Sequence, residues 1–269
     1  ASFRDARSAP ASKAAKAYLG LGQNQPLGAV TGLPSVRGAA APHAVQPGLL
    51  QPGCDWPVAT WNQPVAATEL REAAGLFGPA RADLMVGQAF SDTAIEGRTD
   101  LADFRVVHFA THGLVTAPRT GCPARPALVT SFGGAGSDGL LRFDEIFNLH
   151  LDADLVILSA CDTAGGASLE ATREAGETSG GGQALDGLVR AFIAAGGRQV
   201  VASHWPAPDD YNATEKLVSG LFVGAGEESL AEALRRSEAA LMDNPDTSHP
   251  FYWAGFALIG DGRRPLHAR

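Results

Sequence analysis

Residues 154–166 read DLVILSACDTAGG and residues 105–113 read RVVHFATHG. Each begins as a short, continuous apolar run of strand length, the form of a strand buried on both faces. Each then breaks into small and polar residues, Cys161-Asp162-Thr163 in the first and Thr111-His112-Gly113 in the second. Parallel strands need helical crossovers, so the flanking segments should carry helical periodicity, and they do. Leu185, Leu188, Val189, Phe192 and Ile193 form a stripe at helical spacing through a helix expected over 186–195. Residues 68–77 (TELREAAGLF), 143–149, 213–222 and 229–242 read as further helices. Residues 83–86, 199–203 (QVVAS) and 254–259 read as strands. This alternation predicts an α/β fold, a three-layer α/β/α sandwich with a mainly parallel central sheet.

The composition sets limits on what the protein does. The chain has 269 residues, 45% hydrophobic and 19% charged, with a formal net charge of −8. That apolar fraction suits a folded chain with a sizeable core and excludes disorder throughout. There are 21 Lys and Arg against 29 Asp and Glu, and no basic run exceeds two residues. Nucleic acid and anionic membrane are therefore not expected partners. No apolar stretch approaches the roughly 18 residues of a membrane helix. The first residue is Ala1 rather than Met, so the chain is expected to be a fragment or a processed product. A cytoplasmic location is favoured over export of a longer precursor.

Residues 1–60 are rich in Ala, Gly and Pro. A short helix is expected over 11–19, after which Pro26, Pro34, Pro42, Pro47, Pro52 and Pro57 break any regular element. This stretch reads as an arm or irregular layer over a domain spanning 61–265. Two later stretches, 118–138 and 164–184, are long Pro/Gly-rich or polar connections that begin a few residues after strand ends, where long loops are commonly functional. The three cysteines, Cys54, Cys122 and Cys161, are too few for a disulfide scaffold and too dispersed for a zinc site. Their odd number leaves at least one thiol free. In an oxidising compartment Cys54 and Cys122, both in Pro/Gly-rich loops, are the pair expected to bridge, which leaves Cys161 as the thiol.

Ligands of open α/β sheets bind beyond the carboxyl ends of the strands. If the 105–110 and 154–160 strands are neighbours, His112 and Cys161 face one another there. A thiol attacks as its thiolate, and an adjacent imidazole activates it and returns the proton. The Gly113 and Cys161 N–H groups would then serve as oxyanion donors. No phosphate loop, GxSxG elbow or dinucleotide fingerprint is present, and no cofactor or metal is expected.

Four blocks, HFATHG (108–113), LVILSACDTAGG (155–166), GLVRAFIAAGGRQVVASHWP (187–206) and HPFYWAGFALIGDG (249–262), resemble the signature blocks of the CHAT family. These are caspase-like domains of the clan CD cysteine peptidase fold, often found with tetratricopeptide repeats. The resemblance covers about 61–262 and extends to the 18–22 segment. It implies a caspase-like fold and a His–Cys dyad, carried here by His112 and Cys161, 49 residues apart in the caspase order. It also implies a protein or peptide substrate and tetratricopeptide repeats in the same or a partner chain. His204-Trp205 replaces the family's usual Leu-Trp, and Gly182-Gln183-Ala184 replaces its acidic GEG. Specificity is therefore not carried over.

Substrate-pocket candidates are Ser159, Asp162, Asp186, Ser203, His204 and Trp205. Ser159 stands two before the nucleophile where metacaspases carry an acid, so cleavage after Arg or Lys is not implied. His108 sits inside an apolar strand and reads as a satisfied core histidine. Asp162 reads as a turn residue and Asp186 as an N-terminal helix carboxylate. The 164–184 loop is expected to gate the site, since related caspases place their activation linker there. The resulting expectation is a cysteine endopeptidase, a regulated hydrolase of bacterial signalling. The alternative is a non-catalytic signalling or scaffold module with the same fold.

Overall fold

In the computed structural model, the chain is described over residues 10–27, 54, 56–114, 117–118, 120–122, 125–160, 182–205, 208, 210–223, 226 and 228–266, with residues 182–187 as backbone alone. Its strands are β1 (Lys16–Gly22), β2 (Ala82–Val86), β3 (Phe104–Ala110), β4 (Gly113–Leu114), β5 (Ala127–Val129), β6 (Leu140–Arg142), β7 (Leu155–Ser159), β8 (Val200–Ser203) and β9 (Phe256–Ile259). Its helices are α1 (Thr68–Phe77), α2 (Asp92–Glu96), α3 (Phe143–Asn148), α4 (Gly182–Ala194), α5 (Ala213–Phe222), α6 (Leu230–Met242) and α7 (Pro250–Trp253). Six strands form one sheet in the order β2-β1-β3-β7-β8-β9. Every pairing in it is parallel except β8 with β9.

All five residues of β7 are buried because helices cover both faces. Val156 and Leu158 pack with Val107, Phe109 and the α4 stripe of Leu188, Val189 and Phe192. Leu155 and Ile157 pack on the other face with Tyr18, Val106, α1, α5 and α6. Each fully buried large apolar side chain contributes about 1.5–3 kcal/mol relative to exposure. The three-layer α/β/α sandwich with a mainly parallel sheet is therefore the observed architecture.

Three local readings need correction. The 11–19 segment expected as a helix instead holds β1, an interior strand hydrogen-bonded to β2 on one side and β3 on the other. Alanine's helix preference is a weak prior that tertiary pairing overrides. Gly22 shows how tight that pairing is: a Cβ there would fall 2.2 Å from the Ala110 carbonyl oxygen. The sheet thus draws on the stretch read as an arm. Second, α4 begins at Gly182, four residues before the expected start, so Asp186 lies in its second turn rather than at its N-terminal end. Third, part of the 118–138 stretch is ordered as β5, which joins β4 and β6 in a small antiparallel sheet. The short helix α7 occupies the run just before β9, which starts at Phe256. Residues 164–181 of the 164–184 stretch lie outside the described residues, and 182–184 belong to α4.

Cys54 and Cys122, 68 positions apart in sequence, form a disulfide with Cα atoms 5.5 Å apart. Of three cysteines, only Cys161 then remains as a thiol. Closing a loop of this length restricts the unfolded chain by up to about 4 kcal/mol in the chain-entropy account. Reduction with dithiothreitol, or a Cys54→Ser/Cys122→Ser double variant, should lower the thermal midpoint by several degrees. An unchanged melt would mean that the bridge adds no stability.

The N-terminus of α3 carries a titratable feature. Glu145 accepts the Arg142 backbone N–H at 2.6 Å in a capping arrangement. Burial, reinforced by Glu96 and Asp138, pushes its carboxyl from 4.5 up to about 7. Folding therefore favours the protonated form, so this group's contribution falls as pH rises from the unfolded value through about 7. Glu145→Gln keeps the backbone bond without the charge. It should raise the thermal midpoint at about pH 8 and leave it unchanged near pH 4, where both side chains are neutral.

Candidate active site

β3 and β7 are direct neighbours, and their pairing runs level to the end, with Ala110 opposite Ser159. The condition on which the strand-end reading depended is met. Beyond Ala110, the Thr111 N–H donates to the Ser159 carbonyl at 3.3 Å. The buried Thr111 hydroxyl donates to the Val129 carbonyl at 2.6 Å. The Val129 N–H then donates to the His112 carbonyl at 2.9 Å. These bonds turn the chain out of the central sheet into β4, and His112 sits at the turn.

The His112 ring is half-buried, and its Nε2 lies 2.5 Å from the Gln63 carbonyl oxygen. A carbonyl only accepts, so this contact assigns the Nε2 position a proton and leaves Nδ1 as the basic nitrogen. Gly113 is paired with Leu128 in the antiparallel β4–β5 ladder. Ladder bonds alternate along such a pair, and one falls at His112 with Val129. Gly113 is thus in a non-hydrogen-bonded position, with its N–H directed away from β5. That is a geometry suited to an oxyanion donor.

A buried polar layer lies directly beneath these strand ends. The Tyr18 hydroxyl lies 2.7 Å from His108 Nδ1. Burial, and then the Glu69 carboxylate, hold the phenol's pKa well above 10.0, so Tyr18 stays a neutral phenol. His108 Nε2 lies 2.8 Å from Glu69 Oε1. The two atoms meet out of line for a directed hydrogen bond, so the contact is electrostatic. Glu69 Oε2 accepts the Ser159 hydroxyl at 3.1 Å. His108 is fully buried, and Glu69 and Ser159 nearly so.

The remaining candidates fall into distinct places. Cys161 and Asp162 lie outside the described residues, as does the Asp186 side chain. The Ser159 and Ser203 hydroxyls are turned inward, Ser203 donating to the Leu158 carbonyl at 3.4 Å. His204 is exposed, and its backbone N–H donates to the Gly255 carbonyl at 2.7 Å. The Trp205 indole donates to the Phe251 carbonyl at 3.0 Å, with its ring against Gly255. His112 and Ser159 are thus brought together at paired strand ends, while His204 and Trp205 stand past β8, toward α7 and β9. Among the described residues, no group of three or more His, Cys, Asp or Glu side chains is arranged to hold a metal ion.

Sequence reasoning missed Gln63 and Glu69. Gln63 acts through its backbone carbonyl, which no side-chain pattern reports. Glu69 left a trace: it is a carboxylate one turn before Ala73 on the buried stripe of α1.

The CHAT domain family model matches residues 1–261. Tetratricopeptide repeat protein 28 of Mus musculus is 33% identical over 127 residues, covering 45% of this chain and 4% of the mouse protein. The Homo sapiens protein of the same name is 33% identical over the same length, with the same coverage. The chain thus matches a small part of these much longer relatives.

Proposed function

This chain belongs to the CHAT domain family, a caspase-like family that includes peptidases, and from that premise we propose that it is a cysteine endopeptidase using Cys161 and His112. Cys161, as thiolate, attacks the scissile carbonyl carbon. The carbonyl π electrons move to oxygen, and the Gly113 and Cys161 N–H groups stabilise the resulting oxyanion. Collapse of the tetrahedral intermediate breaks the C–N bond as the His112 imidazolium protonates the leaving amine. Water then attacks the thioester and gives its proton to His112, and the carboxylic acid product leaves the thiolate restored.

The observation that carries this reading is the level parallel pairing of β3 with β7. His112 follows the paired residue Ala110 by two positions, and Cys161 follows its partner Ser159 by two. The Gln63 contact adds support by orienting the imidazole, the third role that such dyads commonly need. The substrate is a protein or peptide, and Asp162, Asp186, His204 and Trp205 are the residues proposed to border its site. The mammalian relatives carry tetratricopeptide repeats in their name. Repeats of that kind, in the same or a partner chain, are the proposed regulator.

A digest of a fluorogenic peptide library tests the proposal. Wild-type protein should cleave a subset of peptides. Cys161→Ala and His112→Ala should each abolish cleavage with an unchanged melt, whereas His108→Ala, buried in β3, should lower the melting temperature and leave residual cleavage. Cleavage that persists in Cys161→Ala, or none in the wild type with repeats supplied in trans, would leave the scaffold reading in its place.

A further inference from the structure

The buried layer of Tyr18, His108, Glu69 and Ser159 has no evident purpose in stability. It lies on a sheet face otherwise built from Val106, Leu155, Ile157 and Val201. Buried polar groups on an apolar face carry a desolvation cost, and Glu69 Oε1 and His108 Nε2 lack even a directed hydrogen bond. The layer is distinguished by what it joins. Glu69 reaches β3 through His108 and β7 through Ser159, both at the ends where the proposed catalytic residues leave the sheet. Six residues earlier on the same chain, the Gln63 carbonyl holds His112. One short segment, 63–69, therefore grips the imidazole from outside the sheet and both supporting strands from beneath.

We propose that Glu69 is a positioning residue for the catalytic pair, fixing the β7 end through Ser159 and the β3 end through His108, so that the 63–69 segment sets the separation of imidazole and thiol. This rests on the peptidase reading above. Dyad chemistry is sensitive to such placement, with a displacement of about 1 Å costing on the order of 10²-fold in rate. The effect should appear in kcat and in thiol activation rather than in substrate binding, because Glu69 is buried away from the substrate.

The test follows alkylation of Cys161 by iodoacetamide across pH, read by intact mass in protein with the Cys54–Cys122 bridge intact, together with kcat, KM and a thermal melt. The variants are Glu69→Ala, Glu69→Gln, Ser159→Ala and, as the reference for a lost imidazole, His112→Ala. Expected for Glu69→Ala is a kcat reduced about 10- to 100-fold, KM within about twofold, and an alkylation profile moved toward that of His112→Ala. Glu69→Gln, which still accepts from Ser159, should recover part of the loss. Ser159→Ala should reproduce part of it with little change in the melt. If Glu69→Ala does not fold, the other two variants carry the same comparison. A His112-dependent profile in the wild type that all folded Glu69 and Ser159 variants retain, with wild-type kcat, overturns this inference alone. A wild-type profile indifferent to His112→Ala, with no peptidase activity, overturns the peptidase reading and this inference with it.

Discussion

The level hydrogen-bonded pairing of β3 with β7 is the constraint on which the other arrangements depend. Two strands bonded from Val106–Leu155 to Ala110–Ser159 cannot slide, because a shift of one residue would turn each buried side chain to the wrong face. Both faces are covered, α4 on one side and α1, α5 and α6 on the other, so a slip would disrupt close packing on both sides of the sheet. The strand ends are therefore fixed to each other more firmly than any loop contact could fix them. The residues that leave the two ends start from a common level.

The polar layer under that edge is a local departure from core logic. A carboxylate and an imidazole on an apolar face carry a desolvation cost that good packing avoids. Natural sequences depart from such rules mainly at sites where geometry matters more than stability. Tyr18 comes from β1, His108 from β3, Glu69 from α1 and Ser159 from β7. The layer thus links a helix to three strands through polar contacts, the Ser159–Glu69 and Tyr18–His108 bonds among them, where the rest of the face offers only nondirectional packing. Thr111 does similar work above it, joining the central sheet to β5.

The strands that carry the site were readable because each is an apolar run that ends abruptly in polar residues, a pattern that survives without any knowledge of partners. RVVHFATHG and LVILSACDT announce both burial and exit. β1 was unreadable for the opposite reason. KAYLGLG lies among alanines and glycines, and its strand identity comes from β2 and β3 on either side, which local propensity does not encode. The small sheet of β4, β5 and β6 has strands of two or three residues, too short to show a period. His112 was legible as a side chain at a strand end, whereas its Gln63 partner is a carbonyl that any residue could have supplied. Glu69 was present as a charged interruption on an apolar helix stripe, and only the fold says what it meets.

The interior position of β1 also bears on how the chain reaches its native state. The middle of the sheet is assembled from residues near 20, 105 and 155, so its central contacts close long stretches of chain. Such non-local topologies fold slowly, and their unpaired strands stay open to other molecules meanwhile. A chain lacking β1 would leave β2 without a partner and turn β3 into a bare edge, whose free N–H and C=O groups invite pairing with another copy. Removing those seven residues would thus convert a closed interior into an aggregation surface.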